Sequence, residues 1–126
     1  MATPRTAPYG AWTSPITAEM LTTRALRLDR TAETWVDGDD LYWTEGRPEE
    51  SGRSALIRRT PDGTAHDLLP PPFNVRSRVH EYGGGEFAVA DGVVWFSNFA
   101  DGRVYRLDRD ATPRPLTPAS KGYRYA

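Results

Sequence analysis

Cysteine is absent from this 126-residue chain, lysine occurs once and histidine only twice. Without cysteine there are no disulfides, no thiolate metal sites and no cysteine nucleophile. The two histidines, His66 and His80, match no zinc-ligand spacing. None of the six serines lies in the Gly-x-Ser-x-Gly context that presents a hydrolase nucleophile, so no catalytic residue is assigned within this chain. Runs of about 18 apolar residues, the length of a membrane helix, are also missing. Residues 1–10 hold no apolar core of signal-peptide length. A cytoplasmic protein without a membrane partner is the expectation. The 16 basic and 17 acidic residues give a net charge of −1, and the 15 arginines are scattered rather than gathered on one stretch, which argues against a nucleic-acid partner.

What the chain does have is punctuation. Eleven glycines, eleven prolines and short apolar clusters favour many short strands over long helices, in a chain whose length suits one domain. Residues 1–13 are rich in Pro, Thr and Ala without periodicity and read as an extended arm, with Tyr9 and Trp12 as anchors. Ser14-Pro15 offers an N-cap followed by proline at the first helical position, predicting a short helix that ends near Thr23 with Ile16, Met20 and Leu21 on one face.

From Arg24 onward the period changes to two. Leu26 and Leu28 alternate with Arg27 and Asp29, Thr34 to Val36 is β-prone, and a turn at Asp37-Gly38-Asp39-Asp40 leads into Leu41-Tyr42-Trp43-Thr44. Ala55 to Arg58 is the next strand, and Asp62-Gly63 turns into Thr64 to Leu69. The second half repeats the plan: Glu86 to Ala90, a turn at Asp91-Gly92, Val93 to Asn98, a turn at Asp101-Gly102, Arg103 to Leu107, then Arg114 to Thr117. Asp37 answers Asp91, Trp43 answers Trp95 and Gly52 answers Gly102, with an offset that shrinks along the chain as the loops of the second copy shorten.

Four short strands repeating at roughly 50 residues are what one blade of a β-propeller needs. The expectation is therefore all-β: about two four-stranded antiparallel blades of an incomplete propeller, preceded by the arm and the short helix. The corresponding division is 1–23 for arm and helix, 24–70 for blade one, 71–82 for a link, 83–118 for blade two and 119–126 for the lead-in to a third. Closing a ring takes roughly four to eight blades, so two of them lack neighbours. The aromatics Trp35, Tyr42, Trp43, Trp95, Phe96 and Tyr105 are expected to pack between blades.

The least ordinary stretch is Arg78-Val79-His80-Glu81-Tyr82-Gly83-Gly84-Gly85, a charged approach into three glycines that favours a tight corner. The glycines precede a strand rather than open a helix, which argues against a phosphate loop, and Asp37-Gly38-Asp39-Asp40 lacks the later glutamate of a calcium loop. No cofactor or metal is expected. With Pro71-Pro72-Phe73-Asn74-Val75-Arg76 before it and Val94-Trp95-Phe96-Ser97-Asn98 after it, the octapeptide resembles the start of the propeller in bacterial serine peptidases of the prolyl oligopeptidase family, nearest the acylaminoacyl-peptidase and dipeptidyl-aminopeptidase-like branch. Ala7 to Thr17 and Asp40 to Pro48 fit the same pattern, so the resemblance spans nearly the whole chain.

The resemblance implies partners: the remainder of the propeller, an α/β-hydrolase domain holding the Ser-Asp-His triad, and a short peptide substrate. It also implies a gating role for the propeller, and it makes Arg78, His80 and Glu81 the substrate-binding candidates. The competing reading pairs Arg78 with Glu81, or caps a neighbouring blade with them, and leaves His80 donating to a backbone carbonyl. A second functional class also stands: a binding or scaffold module without enzymatic activity, in which blades with unsatisfied faces complete a ring as a homo-oligomer.

Overall fold

The computed structural model describes residues 6–11, 14–23, 27–28, 34–79 and 84–126. They form one short helix and two antiparallel sheets. Helix α1 (Ala18–Thr23) starts later than Ser14-Pro15 predicts, because Thr17 provides the cap: its Oγ1 accepts the Met20 N–H at 3.1 Å. Ser14 instead closes a local turn by accepting the Ile16 N–H at 3.0 Å. A hydroxyl satisfies one of the first orphan donors of a helix only from the residue just outside it, and here that residue is Thr17. Ile16 and Met20 remain largely exposed.

The first sheet contains β1 (Arg27–Leu28), β2 (Trp35–Asp37), β3 (Asp40–Arg47), β4 (Arg53–Arg59) and β5 (Ala65–Asp67). Both β1 and β2 pair with β3 on the edge away from β4, at Gly46 and Glu45 for β1 and at Tyr42 to Asp40 for β2. The sheet is thus four strands wide with a divided first strand. A turn of 3₁₀ helix (Pro48–Glu50) joins β3 to β4. The second sheet is an uninterrupted meander of β6 (Phe87–Ala90), β7 (Val93–Asn98), β8 (Arg103–Leu107) and β9 (Arg114–Pro115). The Asp91-Gly92 turn between β6 and β7 takes φ of 52° and 73°, as a two-residue hairpin turn with both central residues left-handed requires.

The ladders correct the repeat alignment read from the letters. Asp37 and Asp40 close the first hairpin and Ala90 and Val93 the second, so Tyr42, not Trp43, is the structural counterpart of Trp95. Tyr42 faces Arg58 across the first sheet just as Trp95 faces Arg106 across the second. A shift of one residue moves a side chain to the opposite face of a sheet. The face of the first sheet bearing Trp35, Tyr42 and Leu56 accordingly packs on the opposite kind of face of the second, which bears Phe87, Val89, Val94, Phe96 and Leu107. Such stacking of unlike faces is how successive blades of a propeller meet. The equivalents of Trp35, Tyr42 and Leu56 on the second sheet, namely Ala88, Trp95 and Val104, lie half-buried on its far side.

Two further devices hold the sheets together. The Asp37 carboxylate accepts the Asp91 and Gly92 N–H groups at 3.1 and 2.6 Å, so the first turn of one sheet caps the first turn of the next. Between the sheets runs the segment 73–76. Val75 donates its N–H to the Ser54 carbonyl, Arg76 donates to Ser97, and Asn74 accepts from Ser54 through Oδ1. Its Phe73 ring meets Phe96 and Tyr105 edge-on at 5.7 and 5.5 Å. The stretch read as a link between blades, 71–82, thus also supplies an aromatic to the core through Phe73.

Candidate functional site

Successive loops of a meander alternate between its two ends, so the β3–β4 and β7–β8 loops share one end with residues 70–79 and 117–124. The segment carrying the charged approach to the glycines lies at this end. Arg78 projects over the Phe99 ring, its guanidinium carbon 4.4 Å from the centroid, and Arg76 lies 5.1 Å from the same ring. His80 and Glu81, the other two residues proposed from the sequence, lie outside the described residues. At the corner itself Gly84 and Gly85 take φ of 115° and 69°, and the Gly84 N–H donates to Glu86 Oε1 at 3.0 Å. Glu86 is only 6% exposed, which places a carboxylate under the corner.

At the same end of the second sheet opens a cleft of about 740 Å³ whose walls include Val79, Ala100, Asp101, Arg103, Lys121 and Arg124. The chain closes it by folding residues 119–126 back over the β7–β8 loop. Tyr125 donates its N–H to the Gly102 carbonyl at 2.9 Å, and the Ser97 hydroxyl donates to the Tyr125 carbonyl at 3.1 Å. Gly102 has φ of 66°, which strains any other residue, and a Cβ on it would stand 3.0 Å from Arg124 Cγ and crowd that side chain.

Asp101 is the acid in this wall, and its oxygens are already occupied. Oδ1 accepts Asn98 Nδ2 at 3.0 Å and the Arg103 N–H at 3.2 Å, while Oδ2 accepts the Tyr105 hydroxyl. Burial, followed by that bond to Asp101, holds the Tyr105 hydroxyl above its ordinary pKa. Arg103 donates Nε to the Thr117 carbonyl at 2.8 Å and lies 5.8 Å over the Tyr105 ring.

The same end of the first sheet differs in electrostatics. There Arg47 pairs with Glu45, Glu50 and Asp67, and the buried Arg53 pairs with Glu50 and Asp67 while donating to the Leu69 carbonyl at 3.3 Å. Positive charge is neutralised in the first sheet. In the second, among the described residues, Lys121 and Arg124 have no carboxylate within ion-pairing distance.

His66 lies on β5 opposite Arg58, exposed, and lines a cleft of about 250 Å³ at the other end of the sheets with Tyr42, Asp67 and Arg109. No serine lines that cleft. Among the described residues, no three metal-ligating side chains gather. Phe99, Lys121 and Arg124 went unread as site residues because their grouping depends on segments well separated along the chain meeting at one end. The repeat itself was the available signal, since Lys121 to Ala126 follows the second sheet as Asn74 to Val79 follows the first.

Two consecutive four-stranded meanders stacked by unlike faces define a portion of a β-propeller. The comparisons agree. The crystal structure of puromycin hydrolase is 41% identical over 92% of this chain and 18% of its own, with a TM-score of 0.76. A mutant of puromycin hydrolase complexed with PGG gives the same values. A puromycin-hydrolyzing peptidase from Mycobacterium tuberculosis is 44% identical over 98% of this chain and 20% of its own, with a TM-score of 0.79. No family model matches. No curated protein matches either. The chain belongs to the prolyl oligopeptidase family of peptidases and corresponds to the N-terminal part of their propeller. It spans about a fifth of the length of the solved peptidases it matches.

Proposed function

We propose that this chain is the N-terminal propeller portion of a cytoplasmic serine peptidase of the acylaminoacyl-peptidase or dipeptidyl-aminopeptidase-like branch, acting on short peptides. Its task is gating and substrate positioning, and the bond-breaking residues belong to an α/β-hydrolase domain outside it. The observation that carries the reading is the match to puromycin-hydrolysing peptidases over 92% and 98% of this chain but only 18% and 20% of theirs. Arg78, His80 and Glu81 are assigned to the substrate's backbone or terminus. Support comes from Arg78, which is exposed, precedes Val79 of the larger cleft in the chain, and lies over Phe99 rather than beside an acid among the described residues.

The test is expression of the whole reading frame that contains this sequence, with short peptide p-nitroanilides as substrates and a serine-directed fluorophosphonate as inhibitor. Hydrolysis that the inhibitor abolishes, with none from the 126-residue chain alone, is the expected result. A full-length product that cleaves no short peptide overturns the reading. Within an active enzyme, Glu81→Gln is expected to lower kcat/KM at least about tenfold, the effect of one charge-assisted contact. An unchanged value removes Glu81 from the substrate site.

A further inference from the structure

We infer that the cleft between the β7–β8 loop and residues 119–124 is a carboxylate-binding site, and that its ligand is the free C-terminal carboxylate of a short peptide. The peptide identity of the ligand rests on the function proposed above; the anionic character of the site does not. At about 740 Å³ the cleft lies within the range of small-ligand sites. Arg103, Lys121 and Arg124 line it, and Asp101, the acid in the same wall, already accepts three hydrogen bonds.

Comparison with the first sheet shows that this positive charge is not a general property of the repeat. Arg53 and Arg103 both open the third strand of their sheets, and both donate to the carbonyl of the chain leaving the fourth, Leu69 in one case and Thr117 in the other. Arg53 has Glu50 and Asp67 as counterions. Arg103 has none among the described residues, and the exposed cations beside it, Lys121 and Arg124, have none either. An exposed ammonium and guanidinium that line one cleft, with no ion-pairing carboxylate among the described residues, favour an anionic guest.

The rest of the lining separates a peptide from a bare phosphate. Val79, Ala100, Ala119 and Tyr123 give the cleft apolar wall next to its cations. A peptide terminus offers one carboxylate followed by side chains and can use both surfaces, whereas inorganic phosphate uses only the charge.

The test is an NMR titration of the 126-residue chain with trialanine, with trialanine amide and with inorganic phosphate. Trialanine is expected to shift the amides of Ala100, Asp101 and Gly122 and to bind at least about tenfold more tightly than its amide, as one charge-assisted contact predicts. Lys121→Gln with Arg124→Gln is expected to erase that preference while leaving the β6 to β8 resonances in place. Equal affinity for acid and amide, no shift at these amides, or shifts with phosphate but not trialanine each overturn the assignment. If the full-length protein cleaves peptides while trialanine shows no preference, only the cleft assignment falls. If trialanine binds as expected and no peptide is cleaved, the peptidase reading falls and the carboxylate site stands.

Discussion

At Asp62 two hydrogen-bond donors set one titration. The Thr60 hydroxyl donates to Asp62 Oδ1 at 2.6 Å and the Thr64 N–H donates to the same oxygen at 3.0 Å, closing the β4–β5 turn. The Thr60 hydroxyl first, and then the Thr64 backbone, lower the Asp62 pKa to about 2. A carboxyl whose folded pKa lies below its unfolded value stabilises the fold above the unfolded value, about 3.9, and that stabilisation is lost as pH falls toward 2. Carboxyl NMR is expected to place the Asp62 midpoint near 2, and Thr60→Ala is expected to move it upward toward the ordinary value. An unmoved midpoint in Thr60→Ala excludes the hydroxyl as the main cause. This turn was legible in the sequence because Asp-Gly followed by a β-prone run has a local mechanism. The Thr17 cap was not legible, because Ser14-Pro15 and Thr17 are both adequate caps by composition and only the backbone path chooses between them.

Elements in this chain are joined by a few polar contacts over an apolar interface, and the two kinds respond differently to substitution. Asp37 accepts two N–H groups from the next sheet, so Asp37→Ala is expected to lower unfolding stability by about 1–3 kcal/mol, with the Asp91-Gly92 amides losing hydrogen-exchange protection first. Unchanged protection at those amides excludes the contact as a clasp in solution. Phe96 is 1% exposed, stacked on Tyr105 at 5.5 Å and edge-on to Phe73. Its replacement by Ala is expected to cost about 3–5 kcal/mol, read as a lower urea midpoint. A loss below about 1 kcal/mol indicates that the sheets do not pack through this ring. β7 and β8 have the same bounds in the structure as in the sequence reading, since each is flanked by an Asp-Gly turn. The divided first strand of the first sheet was less legible, because β1 is two residues long and is defined by its register with Gly46 and Glu45 rather than by periodicity.

Over the whole molecule, one side of the second sheet carries the inter-sheet core and the other carries Ala88, Trp95 and Val104 half-exposed around a cavity of about 240 Å³. The equivalent residues of the first sheet, Trp35, Tyr42 and Leu56, are the ones that meet a neighbouring sheet. A face built to be covered is expected to find cover at high concentration. Sedimentation velocity should show reversible self-association of the chain as concentration rises, weakened by Trp95→Lys. A monomer at every concentration overturns this, and an unaltered association constant in Trp95→Lys moves the contact elsewhere.

The sequence by itself determined the hairpin turns and the twofold repetition of the four-strand plan, because alternation of side chains and the left-handed conformations of Asp-Gly act over a few residues. It also carried the glycine corner. Only the tertiary structure decided which letters correspond between the two sheets, since the register that puts Tyr42 and Trp95 in step is a property of paired backbones. It alone brought Phe99 beneath Arg76 and Arg78, and Lys121 and Arg124 beside Arg103, because charges distant along the chain acquire a common field only when the fold sets them at the same end.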